Sequence, residues 1–360
     1  MRRARVLPGV LVLVAAAFVL TMVSAAGAAR PGFAWHDTDT GTTAHFRGLA
    51  AVSERSAWVS GYLVNADGSV DGRIMRTTDR GATWQDVTPP DVAGLQFRDI
   101  SAFSARDAVA MSIGDNPGDF RMYVTHDGGK SWAITFVNSE PTAFYDCMSF
   151  FNRKVGLAVS DPPDGVHFRV IKTTNGGLSW HVTGLQMPAA PGAFGFAASG
   201  ECLTTNHGRR AWFGSGGSEA SIFRSNDRGV TWTKTSTSML TGASIGVNGI
   251  AFRGQNRGIA VGGDFSLPTA SPDSFALTRN GGQSWSLAPH APSDYRSGVA
   301  WVDGHTAIAV GLSGSDVSTN SGASWQRFDD GSLDTVDCAR PTACWASGAN
   351  GRVAYLVRTR

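Results

Sequence analysis

Short apolar runs, separated by turns rich in Gly, Asp and Ser, recur at even intervals, and no long helical apolar period appears between them. Leu49-Ala50-Ala51-Val52 precedes Ala57-Trp58-Val59, and Ile250-Ala251-Phe252 precedes Ile259-Ala260-Val261. Such pairs predict two antiparallel strands, here called A and B, joined by a short turn. An octapeptide then recurs six times: Thr77-Thr78-Asp79-Arg80-Gly81-Ala82-Thr83-Trp84, followed by Thr125–Trp132, Thr173–Trp180, Ser225–Trp232, Thr278–Trp285 and Ser318–Trp325. The Trp-to-Trp spacings are 48, 48, 52, 53 and 40 residues. Periods of this size mean a propeller or a solenoid, in which each unit is a small sheet that needs neighbours to cover its faces.

The octapeptide is expected to turn a third strand, C, into a fourth, D. Its third residue can hydrogen-bond turn amides, and the Gly at its fifth accepts a positive φ. Its Trp is expected to bury a large ring between units. The third positions are Asp79, Asp127, Asn175, Asp227, Asn280 and Asn320. Three of them are Asn, which is no general acid or base, so the set reads as structural rather than catalytic.

A seventh A–B pair, Leu333 to Val336 and Cys344 to Ser347, follows the last octapeptide, and residues 352 to 357 supply its strand C. Near the amino terminus, Trp35-His36-Asp37 mimics Trp84-Gln85-Asp86, the start of a D strand. Residues 33 to 39 are therefore expected to pair with the last sheet and close the ring, which removes free sheet edges. The predicted architecture is an all-β, seven-bladed β-propeller spanning residues 30 to 360 as one domain.

The first residues carry Arg2, Arg3 and Arg5, then an apolar run from Val6 to Val23, then small residues around Ala26-Gly27-Ala28. This is the pattern of a secretory signal over residues 1–29, with an uncleaved membrane anchor as the alternative. Without those arginines 28 basic residues face 29 acidic ones, too even a balance for non-specific nucleic-acid binding. Export permits disulfides among the four cysteines. Cys338 and Cys344 have the spacing of a cross-strand bridge. Cys147 and Cys202 occupy equivalent positions on adjacent blades, expected to be too far apart for an easy bridge, which favours two buried thiols over a disulfide. The histidines show no metal-ligand spacing, so no metal or other cofactor is expected.

In a blade of this topology strand A begins, and strand B ends, on the face opposite the octapeptides, and loops on a rigid scaffold carry function. Those positions hold Arg47, Arg98, Asp99, Tyr145, Asp146, Glu201, Tyr295 and Arg296 at the A starts, with Asp161 and Asp264 in the B–C loops. One reading makes Arg47, Arg98 and Arg296 an anion-attracting arc, Arg being suited to bidentate recognition of carboxylate or phosphate. The other has these arginines tie blades together through salt bridges to neighbouring acids.

The octapeptide matches Ser/Thr-x-Asp/Asn-x-Gly-x-Ser/Thr-Trp, and in all six copies it resembles the Asp-box, or BNR-repeat, propellers. Within them the chain is most similar to the photosystem II assembly and stability factor-like group, through Phe144-Tyr145-Asp146-Cys147, Ser160-Asp161-Pro162, Gly262-Gly263-Asp264 and Tyr295-Arg296-Ser297. The resemblance implies a non-enzymatic, monomeric binding or assembly scaffold that holds a protein or peptide partner, such as a membrane-protein intermediate. No Gly-rich nucleotide fingerprint, redox Cys pair or haem motif points to an oxidoreductase. The alternative is a glycoside hydrolase, since sialidases and some glucanases share the Asp box. Its catalytic candidates are Asp146, Asp161, Asp264 and Tyr295, and a retaining enzyme needs two carboxyls about 5 Å apart, an inverting one roughly 6.5–9.5 Å.

Overall fold

The computed structural model describes residues 32–183, 187–196, 198–206 and 208–359. The signal segment expected over residues 1–29 lies outside them. The described chain is almost entirely strand, with one short 3-10 turn at Pro117–Asp119, and builds seven antiparallel sheets. Blades one to three run A to D through His45–Ala51, Ala57–Val64, Val70–Thr77 and Gln85–Asp86; Gln96–Ala102, Ala108–Ile113, Arg121–Thr125 and Ala133–Val137; and Tyr145–Phe150, Gly156–Ser160, His167–Thr173 and His181–Val182. Strands A of blades four to seven are Leu203–Thr205, Gly242–Arg253, Gly298–Trp301 and Thr335–Cys338. Each strand A touches the A strands on both sides, the seventh touching the first, so the A strands ring a central channel.

Seven apolar clusters hold the ring together, one at each junction between neighbouring blades. Trp58, Ile74 and Ala50 of blade one meet Phe97, Ile100 and Ala108 of blade two, and Trp345 and Val353 of blade seven meet Phe46 and Val59 of blade one. Residues Phe33–Thr38 pair antiparallel with Val353–Arg358, setting Trp35 opposite Leu356, and complete the last four-stranded sheet.

The octapeptides work as local hydrogen-bond hubs. Thr77 Oγ1 donates to Asp79 Oδ1 (2.8 Å) and accepts from Gly81 N (2.9 Å), while Thr83 N and Oγ1 donate to Asp79 at 2.9 and 2.6 Å. Where Asn replaces Asp, Ser179 N still donates to Asn175 Oδ1 (3.0 Å) and the Asn175 amide donates to Ser179 Oγ (2.9 Å). Carbonyl geometry, not charge, is what the turn uses. Gly81 sits at φ +79°, and the preceding Arg80 is left-handed too at +69°. The tryptophans reach the neighbouring blade: Trp132 packs edge-on to Trp58 at 6.2 Å, and Trp84 to Trp345 at 6.1 Å.

One sequence expectation is corrected. Cys147 and Cys202, expected as separate thiols, are joined in a disulfide with Cα atoms 5.9 Å apart. The A strands are the innermost elements, where the ring is narrowest, so equivalent positions of adjacent blades come within bridging distance. Cys338 and Cys344 face each other across strands A and B of blade seven and are also bonded.

Candidate functional site

Strand A of four blades carries a β-bulge near its start, between Phe46 and Gly48, Phe97 and Asp99, Tyr145 and Cys147, and Val247 and Gly249. The extra residues are Arg47, Arg98, Asp146 and Asn248. A bulge re-aims one side chain without breaking the ladder on either side, so four blades carry a polar group at an equivalent position, half-buried for Arg47 and Arg98 and buried for Asp146 and Asn248.

The bulged residues meet one another and their neighbours. Burial first, and then the charge of Arg47, lower the Arg98 guanidinium to about 10, while Asp146 and Asp334 act in the other direction. Arg47 is half-buried, and its Nε has no hydrogen-bond partner. Asp334 is held by His45 Nε2 at 2.7 Å. Tyr295 donates its hydroxyl to Asn248 Oδ1 at 3.1 Å.

Asp146 and Asp161 are neighbouring, largely buried carboxyls, and the charge of one opposes ionisation of the other. Burial, then the neighbouring Asp161, push Asp146 well above the usual carboxylate range, so Asp146 is the partner that keeps the proton. Its Oδ2 makes no hydrogen bond, an omission that a neutral acid tolerates far better than a carboxylate. Asp161 is raised by burial to about 6 and accepts Gly195 N at 2.6 Å. The mouth therefore joins two guanidiniums to an acid pair that carries at most one negative charge at mildly acidic pH.

Other expected site residues are employed elsewhere. Arg296 is fully buried and turned out of the arc, bonded to Asp316, to Tyr295 O (2.7 Å) and to Ser313 Oγ (3.0 Å), because its strand start packs beneath strand C of blade six. Asp99 follows the bulged Arg98 and therefore points the other way, into the channel, where it accepts Ile100 N (2.7 Å) and Met148 N (2.6 Å) of blade three. Tyr145 is buried between blades two and three against Phe136. Asp264 caps its own turn, accepting Ser266 Oγ at 2.6 Å and Ser266 N at 2.8 Å.

Glu201 does not line the mouth. With Ser199 and Gly200 it crosses the channel: its carboxyl accepts Val299 N of blade six (2.6 Å), Val336 N (2.9 Å) and Thr335 Oγ1 (2.8 Å) of blade seven, and Ser199 Oγ donates to Ser297 O (2.7 Å). This plug divides the channel. Below it, towards the octapeptide face, lies a cavity of about 680 Å³ lined by strand A ends, including Leu49, Ile100, Met148, Ile250, Val299 and Trp301. Asp99, Glu201 and Asp337 form its roof, with burial raising all three, the first two to about 8.

Of the carboxyl candidates, Asp161 neighbours Asp146, whereas Asp264 is bonded within its own turn. Burial pushes the Tyr295 phenol upward, away from the activated state a nucleophile needs. Reasoning from sequence missed Asn248, Asp334, His45 and Gly195. Aligning Phe46-Arg47-Gly48, Phe97-Arg98-Asp99 and Tyr145-Asp146-Cys147 with Val247-Asn248-Gly249 would have exposed Asn248.

These features define a seven-bladed propeller with a plugged channel and a polar mouth. No protein-family model matches the chain, and no curated protein matches it. Among solved structures it is similar to YCF48 bound to a D1 peptide, at TM-score 0.64 and 14% identity over 89% of this chain and 94% of that one. It is also similar to the extracellular domain of a putative hybrid two-component system from B. thetaiotaomicron, at TM-score 0.54 and 8% identity, covering 89% of this chain and 39% of that one. A GH74 xyloglucanase from Xanthomonas campestris aligns at TM-score 0.35 and 10% identity over 87% and 67%, too low to carry an argument. At these identities the likeness establishes the fold.

Proposed function

We propose that the chain is an exported, non-enzymatic binding scaffold that holds a protein or peptide partner by an anionic group at the mouth. The observation that carries this is the Arg47–Arg98 pair. Adjacent bulges hold two like charges together in a half-buried site, where burial and the charge of Arg47 lower Arg98 while Asp146 and Asp334 act in the other direction. Like charges so placed favour an incoming carboxylate or phosphate, which the planar guanidinium fork grips with directional hydrogen bonds. YCF48, similar in fold, is solved with a peptide bound, which makes a peptide the natural class of guest.

Two disulfides suit an oxidising compartment, and among the described residues no helix is long and apolar enough to cross a membrane. The scaffold works as an exported monomer without a cofactor, and a membrane-protein intermediate is the kind of partner that gives such a protein a task. The test is an array of immobilised peptides made in matched pairs, with a free C-terminal carboxylate or an amide. Retention of free-acid members that is lost in the Arg47→Ala/Arg98→Ala variant supports the reading. Equal retention of acids and amides refutes it.

A further inference from the structure

Strand A of blade five is unusually long, Gly242–Arg253, and its early part recruits two extra pieces, Gly216–Gly217 and Ala193–Phe194, into a six-stranded sheet. The extension needs glycine. A Cβ on Gly217, at φ +78°, would lie 2.4 Å from Gly192 O and 2.6 Å from the Phe194 ring, and one on Gly246 would lie 2.3 Å from Gly216 Cα. Beside this close-packed extension lies an open, shallow hollow lined by Gly192, Phe194, Gly217, Ser218, Thr241 and Ala243.

From the hollow a run of aromatic rings, half-buried at Phe194 and buried at Phe196, reaches the exposed Phe265 and Leu267. Phe194 meets Phe196 edge to face at 5.1 Å, and Phe196 meets Phe265 at 6.0 Å. Phe265 is 45% exposed and Leu267 is 56% exposed. Large apolar side chains held out in water beside one another mark a contact surface more often than an accident of folding. The run is continuous with the mouth. Gly195, between the two phenylalanines, donates to Asp161 at 2.6 Å, and a Cβ on it would lie 2.5 Å from Oδ2 of Asp146, the bulged residue of blade three.

The plug decides the direction of a guest. Because Ser199, Gly200 and Glu201 tie blade four to blades six and seven across the channel, a chain whose anionic end enters the mouth cannot thread through and must leave over the rim. We infer that the Phe194–Phe196–Phe265–Leu267 run and the hollow beside it form an apolar subsite. It receives hydrophobic side chains of the same peptide whose carboxylate lies at Arg47 and Arg98. This rests on the reading of the mouth given above, and it adds the sequence preference of the guest: apolar residues shortly before an anionic end.

The experiment is fluorescence-anisotropy titration of labelled eight-residue peptides with a free C-terminal carboxylate, carrying either Leu and Phe or Ser and Asn in the four residues before the end. The wild type binds the apolar peptide at least about tenfold more tightly, the worth of one well-buried side chain. Phe265→Ser/Leu267→Ser, two exposed changes that spare the core, removes that preference and leaves the affinity for the polar peptide unchanged. Ala243→Trp, on an exposed strand position lining the hollow, weakens the apolar peptide alone. Equal affinities for the two peptides in the wild type, or a preference that survives both variants, overturns the subsite. Failure of the mouth reading looks different: Arg47→Ala/Arg98→Ala and C-terminal amidation then leave binding intact while the apolar preference persists.

Discussion

Glu201→Ala removes the carboxyl that ties the channel plug to blades six and seven. The Thr335 hydroxyl can turn to another partner, but the amides of Val299 and Val336 cannot, and each stranded buried donor costs about 1–3 kcal/mol. Part of that loss is offset. Burial raises Glu201 from 4.5 to about 8, so at pH 6 the folded chain holds a proton that the unfolded chain has largely released, a penalty of about 2 kcal/mol that disappears with the carboxyl. Loss of the packed methylenes adds about 1–2 kcal/mol. The expected net destabilisation is about 2–4 kcal/mol, a large fraction of an ordinary domain's stability. Urea unfolding followed by tryptophan fluorescence measures it at pH 6 with the disulfides intact, and native-state amide exchange localises it to Val299 and Val336. Glu201→Gln, which keeps one acceptor oxygen, loses less. A change below about 1 kcal/mol for Glu201→Ala, with exchange at both amides unaltered, refutes the tie.

Three further outcomes follow from the same geometry. The buried Asp99 is raised to about 8, so between about pH 4 and 8 the folded chain keeps a proton that the unfolded chain loses; stability falls as pH rises through this window, by at most about 1.4 kcal/mol per pH unit. Asp99→Asn should lessen the fall of melting temperature from pH 5 to 8, with the raised Glu201 keeping part of the slope. Raising the pH through about 6 ionises Asp161 while Asp146 keeps its proton, which adds a negative charge next to the residue beside Arg98, so free-acid peptide affinity should drop between pH 5 and 8, and Asp161→Asn should abolish the drop. Removing the Cys147–Cys202 bridge by double Ala substitution frees a loop of 55 residues in the unfolded chain and should lower stability by about 2–4 kcal/mol in denaturant unfolding.

What the sequence disclosed follows from how local each signal is. The octapeptide turns are fixed by contacts within five residues, as Thr77, Asp79 and Thr83 illustrate, so six of them were legible one at a time. The count of seven blades came from repeating strand pairs, and the pairing of residues 33–38 with the last sheet is visible because Trp35-His36-Asp37 copies a D strand. The site was legible only in outline. Whether Arg98 or Asp99 faces the mouth depends on a bulge, which exists only relative to strand B and leaves no mark in the spacing of apolar residues. Arg296 looked equivalent to Arg47 and Arg98, yet its partner Asp316 lies in strand C of its own blade, a non-local contact. The cysteine pairing turned on the radius of the ring at strand A, which no linear pattern reports. The plug and the blade-five extension were missed for the opposite reason: short glycine-rich segments such as Gly216–Gly217 carry no periodic signal, and only their fit against Phe194 and Phe196 gives them a fixed place.

The central claim is that two bulged arginines, and not the third of the expected arc, grip the guest. Isothermal titration of one free-acid peptide against wild type, Arg47→Ala/Arg98→Ala and Arg296→Ala tests it most directly, with the melting temperature of each recorded. The double variant should lose at least about a hundredfold in affinity per folded molecule, while Arg296→Ala, which strands the buried Asp316, should lower the melting temperature and leave the affinity of the folded fraction intact. The opposite pattern, affinity lost with Arg296 and retained without Arg47 and Arg98, contradicts the account.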